Sequence, residues 1–491
     1  MNATEPSSAP LFASRGRHSR ASVVAGTLLL AASAFAAVAL TLRRGMPFNK
    51  DGWFYWQGSV SILRGLGYGD FTGQPITAWL PLYSVYLAFC QLILGVSARS
   101  IALSTAFATA AAVATWSILL AWFARERGRA PRDVLCALAF VSAVLALNAR
   151  NVRSENLFHG VLPLLLLFTL RARASTTSGN FLLASGLAGV ALLISLLIRN
   201  ASLAFWPAVL AVLLQNRRLP MLTRGAACGL VTALALPIWL AVRAWLGQPG
   251  GHPIHLGGRY EFGEYLLQFV SGIDRNTGLQ FVGLPLLILL AASLLLADSS
   301  RANTGASARL GRAALLFTAV AACALLSLFN LTWIHDKPES RFTLFVTLTI
   351  GGLGLLNLPT LLRRRWLVLA LVVLFAEPTL RLAKHTIRGR GPSAADFRAE
   401  SLRGFAPSLT TIDPLHVGRA PEPSGDFVLV SPPYPRETPH RSGSSSTRDA
   451  PGSGPSAPQI ATLGVAAGCP FSEVAGIQLD SPILDDVFYG G

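Results

Sequence analysis

The sequence predicts an all-α polytopic membrane protein with about eleven transmembrane helices. Three observations carry this. The chain is 52% hydrophobic and only 13% charged over 491 residues, more apolar surface than a water-soluble fold of this size can bury. The apolar residues form runs of about fifteen to twenty-five, the length of a bilayer crossing or slightly less. The formal net charge of +17 comes almost wholly from arginines lying between those runs, where a positive-inside bias places them and where nucleic acid is not the partner implied. Four of the five cysteines (Cys90, Cys136, Cys228, Cys323) sit inside apolar runs and Cys469 is alone, so neither a disulfide framework nor a metal spacing is present.

Taken in order, residues 1–20 are a basic tail with Arg15, Arg17 and Arg20, on the cytoplasmic side. A first span over about 22–42 is too long for a signal-peptide core. Residues 43–99 read as a first outer loop. It holds an amphipathic helix from Asp51 to about Leu63 with Asp51 as a plausible N-cap, and a glycine loop Gly65-Leu-Gly67-Tyr-Gly69. It also holds a short apolar stretch, Pro81–Gly95, whose Tyr83, Tyr86 and Phe89 suit an interfacial helix. The cluster Trp53-Phe54-Tyr55-Trp56 reads as an interfacial belt rather than a sugar platform.

With that stretch left out as a span, further spans fall at about 100–123, 134–149, 156–170, 181–198, 201–214, 226–246, 279–297, 313–333, 342–360 and 366–382. A long outer loop occupies about 247–278. Each turn on the cytoplasmic side then carries at least two arginines. Residues 21–382 form the membrane domain. Residues 383–491 are an extracytoplasmic, partly disordered tail with strand-like stretches at 426–431 and within 471–489.

This topology gathers the unusual polar residues on one face: Lys50, Asp51, Arg150, Arg153, Glu155, Arg199, His335, Lys337, Glu339 and Arg341. Acids and arginines converging at a membrane surface suit a phosphate-bearing, lipid-linked substrate. Arginines hold the phosphate and a carboxylate takes a proton from an attacking hydroxyl. Each residue also has a plainer role. Asp51 can cap its helix. Glu155 can pair with Arg150 or Arg153. Arg199 can reach headgroups, although an arginine on the non-cytoplasmic side runs against the charge rule. His335 has no second histidine at ligand spacing. Asn200-Ala-Ser202 fits a glycosylation sequon close to the membrane.

Four stretches in order resemble the GT-C superfamily of membrane glycosyltransferases, in particular the dolichyl-phosphate-mannose mannosyltransferase and aminoarabinose transferase type. They are Asp51 with the helix ending Leu63-Arg-Gly-Leu-Gly-Tyr68, followed by Pro75, Pro81-Leu-Tyr83 and Gly95; Arg153-Ser-Glu155; Leu197-Ile-Arg199-Asn-Ala-Ser202 with Pro207; and Arg341-Phe342. The resemblance covers about residues 20–382. It implies a GT-C-type helix bundle and transfer of a sugar from a polyprenyl-phosphate donor to a glycan, lipid or protein acceptor on the extracytoplasmic face of a plasma or inner membrane. Asp51 would be the catalytic base and Glu155 a second acidic site residue, with Arg199 and Arg341 on the donor phosphate and Lys50, Arg153, His335 and Lys337 as further substrate contacts. No cofactor is implied, and a divalent cation shared by the two acids stays open. The sequence departs from the pattern in having Phe342 where a tyrosine is usual. Two other readings remain at this stage: a transporter or flippase for a lipid-linked envelope precursor, and a non-catalytic envelope-assembly scaffold.

Overall fold

The computed structural model describes residues 11–42, 50–70, 75–77, 79–96, 98–149, 152–247, 262–277, 283–296, 304–331 and 340–358, with short pieces at 380, 383–384, 387, 429–430, 460–461, 463–464 and 477–478. Apart from two pairs of two-residue strands near the C-terminus, the described chain is helical. Leu429–Val430 pairs antiparallel with Leu463–Gly464, and Ile460–Ala461 with Ile477–Gln478, so both strand-like stretches of the tail contain a strand residue pair.

Seven of the described helices are long and apolar enough to cross a membrane: α1 (Leu11–Thr41, apolar from Ala21), α4 (Ala98–Glu126), α5 (Pro131–Asn148), α6 (Ser154–Ala174), α7 (Ser178–Ile198), α9 (Met221–Trp245) and α12 (Thr304–Leu331). The chain is an integral, multi-pass membrane protein. Three further expected spans are shorter apolar helices, α8 (Phe205–Leu214), α11 (Gly283–Leu296) and α13 (Ser340–Leu355). The span expected over about 366–382 lies outside the described residues, apart from Leu380. The stretch expected as one long loop over about 247–278 contains a helix instead, α10 (Phe262–Thr277), whose apolar residues Tyr265, Phe269 and Ile273 repeat every fourth position and are buried.

The first loop also departs from expectation. Helix α2 (Lys50–Leu63) is not half-exposed: Phe54, Tyr55, Trp56, Gln57, Ser59, Val60 and Ser61 are all buried, Trp56 completely. Its described aromatics are therefore core residues and neither a belt nor a platform. Helix α3 (Leu82–Leu94) is about 20 Å long, short of a 30 Å hydrocarbon core. It docks on α2 through Ser84 Oγ donating to the Tyr55 carbonyl at 2.9 Å and Gln91 Nε2 donating to Ser59 Oγ at 2.7 Å. Tyr83 is buried while Phe89 faces outward. The glycine loop is a true turn, with Gly65 at φ 72° and Gly67 at φ 82°.

Helices α4, α6 and α13 run one way and α5 the other, so their ends meet in two clusters. At one end lie Asp51, Glu155, Arg199 and Arg341. At the other, buried Arg127 donates from Nη1 to Asn357 Oδ1 at 2.8 Å, just past the end of α13. Arg129 Nη2 donates to the same oxygen at 3.1 Å, and the Arg127 guanidinium lies 4.8 Å from the Phe123 ring centre. Asn357 Nδ2 in turn donates to the Leu353 carbonyl.

Candidate active site

Glu155 lies in the first turn of α6, where the helix dipole favours an acid. The residue before the helix, Arg153, is extended, so the chain enters α6 abruptly and its polar start Arg153-Ser-Glu-Asn156 is held at one depth. Arg199 is the first residue past α7. The backbone leaves the helix there into a short 3-10 turn, Asn200–Ala204. Two bonds fix that turn: Ser202 Oγ donates to the Ser195 carbonyl at 2.8 Å and Trp239 Nε1 donates to Asn200 Oδ1 at 3.1 Å. The residues of the sequon pattern thus shape the arginine turn. Arg341 is the second residue of α13 and Asp51 the second residue of α2. Asp51 therefore sits inside the first helical turn rather than before it.

These four residues, far apart in sequence, form one ion cluster. Arg341 Nη1 lies 2.6 Å from Asp51 Oδ2 and 3.4 Å from Glu155 Oε1, bridging the two acids. Arg199 Nη1 is 3.2 Å from the same Glu155 oxygen. The other Asp51 oxygen accepts a hydrogen bond from Trp79 Nε1 at 3.1 Å, and the Trp79 ring stacks on Phe54 at 4.2 Å. Ser154 Oγ lies 3.4 Å from Glu155 Oε2. Both guanidiniums also lie against Phe342, 4.6 Å (Arg199) and 5.0 Å (Arg341) from its ring centre. The phenylalanine at the usual tyrosine position is thus the floor under the arginine pair.

Burial grades the cluster. The Glu155 side chain is 6% exposed, those of Arg199 and Arg341 are 13% and 16%, and Asp51 is the most open at 27%. Asp51 is the more solvent-accessible of the two carboxylates. Beside it, burial pushes the Tyr55 hydroxyl well above its ordinary range and the Asp51 charge adds to the shift; burial also raises Tyr83. Both phenols stay neutral hydrogen-bonding groups. Arg153 adds its positive charge to the surroundings of Glu155.

Of the residues singled out from sequence, Asp51, Glu155, Arg199 and Arg341 meet directly, and Arg153 lines a small cavity with Glu155 and Arg341. Lys50 opens α2, but its side chain, with His335, Lys337, Glu339 and Arg150, lies outside the described residues. Glu155 takes Arg199 and Arg341 as partners, from helices distant in sequence. No group of three His, Cys, Asp or Glu side chains converges as metal ligands among the described residues, and an ion shared by Asp51 and Glu155 would have to displace Arg341. Sequence reasoning missed Trp79 and His159; the latter sits four residues after Glu155 on the same helix face, a spacing visible in the sequence.

No family model and no curated protein matches the chain. Solved structures do. The crystal structure of ArnT from Cupriavidus metallidurans bound to undecaprenyl phosphate aligns at TM-score 0.50 and 13% identity, over 71% of this chain and 63% of that one. The apo state of the same protein aligns at TM-score 0.52 and 15% identity, over 71% and 62%. The alignment thus spans less than two thirds of the ArnT chain, and at these identities the likeness is one of fold. The chain has the fold of ArnT over the aligned residues.

Proposed function

We propose that this protein is a membrane glycosyltransferase that moves a sugar from a polyprenyl-phosphate donor to an acceptor hydroxyl on the extracytoplasmic face, with Asp51 as base. The carrying observation is the Asp51–Arg341–Glu155–Arg199 cluster, assembled from four helix ends within a fold that ArnT shares.

The charges suit the reaction. A sugar phosphodiester carries one negative charge, which suits a site that holds two guanidiniums. When the anomeric carbon–oxygen bond breaks, the departing polyprenyl phosphate gains a second charge, which Arg199 and Arg341 are placed to stabilise. The acceptor oxygen attacks the anomeric carbon and its proton passes to Asp51, the more open acid. Arg341 occupies one Asp51 oxygen at 2.6 Å. A phosphate that draws Arg341 towards itself frees Asp51, so the base becomes competent when the donor is in place. Glu155, buried under both arginines, positions them side by side.

A transporter or flippase would need charged residues deep in the spans; here the ion cluster sits where helices begin and end. The test is mass spectrometry of envelope glycans and polyprenyl-phosphate sugars with and without the protein. A lipid-linked sugar that accumulates on deletion, with loss of one glycosidic linkage, is the expected result. Reconstituted protein that carries the lipid-linked sugar across vesicles without forming a glycoside refutes the proposal in favour of transport.

A further inference from the structure

His159 lies one turn below Glu155 on α6 and is 3% exposed. Neither ring nitrogen has a hydrogen-bond partner among the described residues. Burying an imidazole that way is costly, and a leucine or phenylalanine would fill the same position on an apolar helix without the cost. The ring stands between two cavities. One, of about 40 Å³, has Asn148, Arg153, Glu155 and Arg341 on its polar side and Leu145 and Leu344 on its apolar side. The other, of about 20 Å³, is bounded by Arg199, Ser202, Arg341 and the Phe205 and Phe345 rings. His159 and Arg341 line both. Such volumes admit water-sized groups. A phosphoryl group gains room there when Arg341 swings from Asp51 towards it.

We propose that His159 is a further substrate-contacting residue, whose ring N–H donates to a non-bridging phosphate oxygen of the lipid-linked donor and closes, with Arg199 and Arg341, the third side of an anion site. This rests on the reading that the donor is a polyprenyl phosphate. An imidazole suits the position better than a third arginine. It adds a directional donor at the buried end of the site without another fixed charge beside two guanidiniums.

The test uses the purified full chain in detergent, titrated with undecaprenyl phosphate, with inorganic phosphate as competitor in a parallel arm. His159→Phe and His159→Leu are expected to raise the Kd for undecaprenyl phosphate about tenfold, the worth of one hydrogen bond to a charged group. His159→Gln, which keeps an N–H donor, stays within about threefold. The apolar variants unfold at the same temperature as the parent or higher, since they remove a buried unpartnered group; a residue that merely supports the fold would lower it. Inorganic phosphate competes more weakly in His159→Phe than in the parent. Parent-like binding by His159→Phe overturns the inference, as does His159→Gln binding as weakly as His159→Phe. Weaker undecaprenyl phosphate binding with unchanged competition by inorganic phosphate also overturns it, by assigning the contact to the lipid tail. Parent protein that binds no undecaprenyl phosphate overturns the donor assignment itself, a result distinct from the other three.

Discussion

Asp51→Asn and Glu155→Gln should fail in opposite ways, although both remove one carboxylate charge from the same cluster. In Asp51→Asn the side-chain oxygen still accepts from Trp79, and Arg341 keeps Glu155 at 3.4 Å. One charge-assisted bond is lost at a site 27% exposed, so the folding cost is about 1 kcal/mol. The base, however, is gone, and transfer falls by about 10² to 10⁴, or about 3 to 5 kcal/mol of barrier. In Glu155→Gln two guanidiniums only 13% and 16% exposed lose their shared buried negative charge. Leaving a buried charge uncompensated costs about 3 kcal/mol or more, so the loss is chiefly of folded protein. The assay pairs transfer of labelled sugar from a polyprenyl-phosphate donor in vesicles with thermal unfolding of the same preparations in detergent. Asp51→Asn activity within about threefold of the parent would refute the role of base, and an Asp51→Asn protein less stable than Glu155→Gln would refute the burial argument.

Two further outcomes follow from the surroundings of the cluster. Phe342→Leu removes the ring under both arginines, a loss of about 1 kcal/mol or more, and is expected to raise the donor KM about fivefold or more while Phe342→Tyr does not; equal KM values for Leu and Tyr would remove the ring from the account. Tyr55 and Tyr83 have hydroxyl pKa values raised above their ordinary value of 10.0, so the folded chain holds those protons more tightly than the unfolded chain, and the stability they contribute is full below about pH 10 and lost as pH rises beyond it. Circular dichroism through alkaline pH should show Tyr55→Phe unfolding at higher pH than the parent; an unchanged midpoint would contradict the burial argument.

What the sequence disclosed was depth rather than pairing. Apolar runs and arginine spacing put Asp51, Glu155, Arg199 and Arg341 at helix ends on one face, because each is flanked on one side by residues that demand lipid or core. Nothing local says which arginine meets which acid. Glu155 feels the charge of Arg153, its neighbour in sequence, but it also pairs with the distant Arg199 and Arg341, because α6 and α13 start, and α7 ends, at the same place. His159 was hidden for a related reason: a single polar residue in an apolar run carries no periodic signal, and only the cavities on either side give it a role. The buried state of α2 was unreadable from its own pattern, since Gln57, Ser59 and Ser61 look like an exposed face until α3 covers Ser59.

Helix α13 is tied at both ends: Arg341 to the two acids, and Asn357, just beyond its last turn, to Arg127 and Arg129. The sixteen residue steps from Arg341 to Asn357 span about 24 Å. A helix pinned this way acts as a strut. Loosening the lower anchor lets the strut slide along its axis, and a shift of even 1 Å at Arg341 is enough to spoil near-attack geometry. Genetic screens for loss of activity should therefore collect alleles at Asn357 and Arg127, at the far end of the bundle from the reacting groups, and second-site suppressors of such alleles should fall on the opposite end of the same helix.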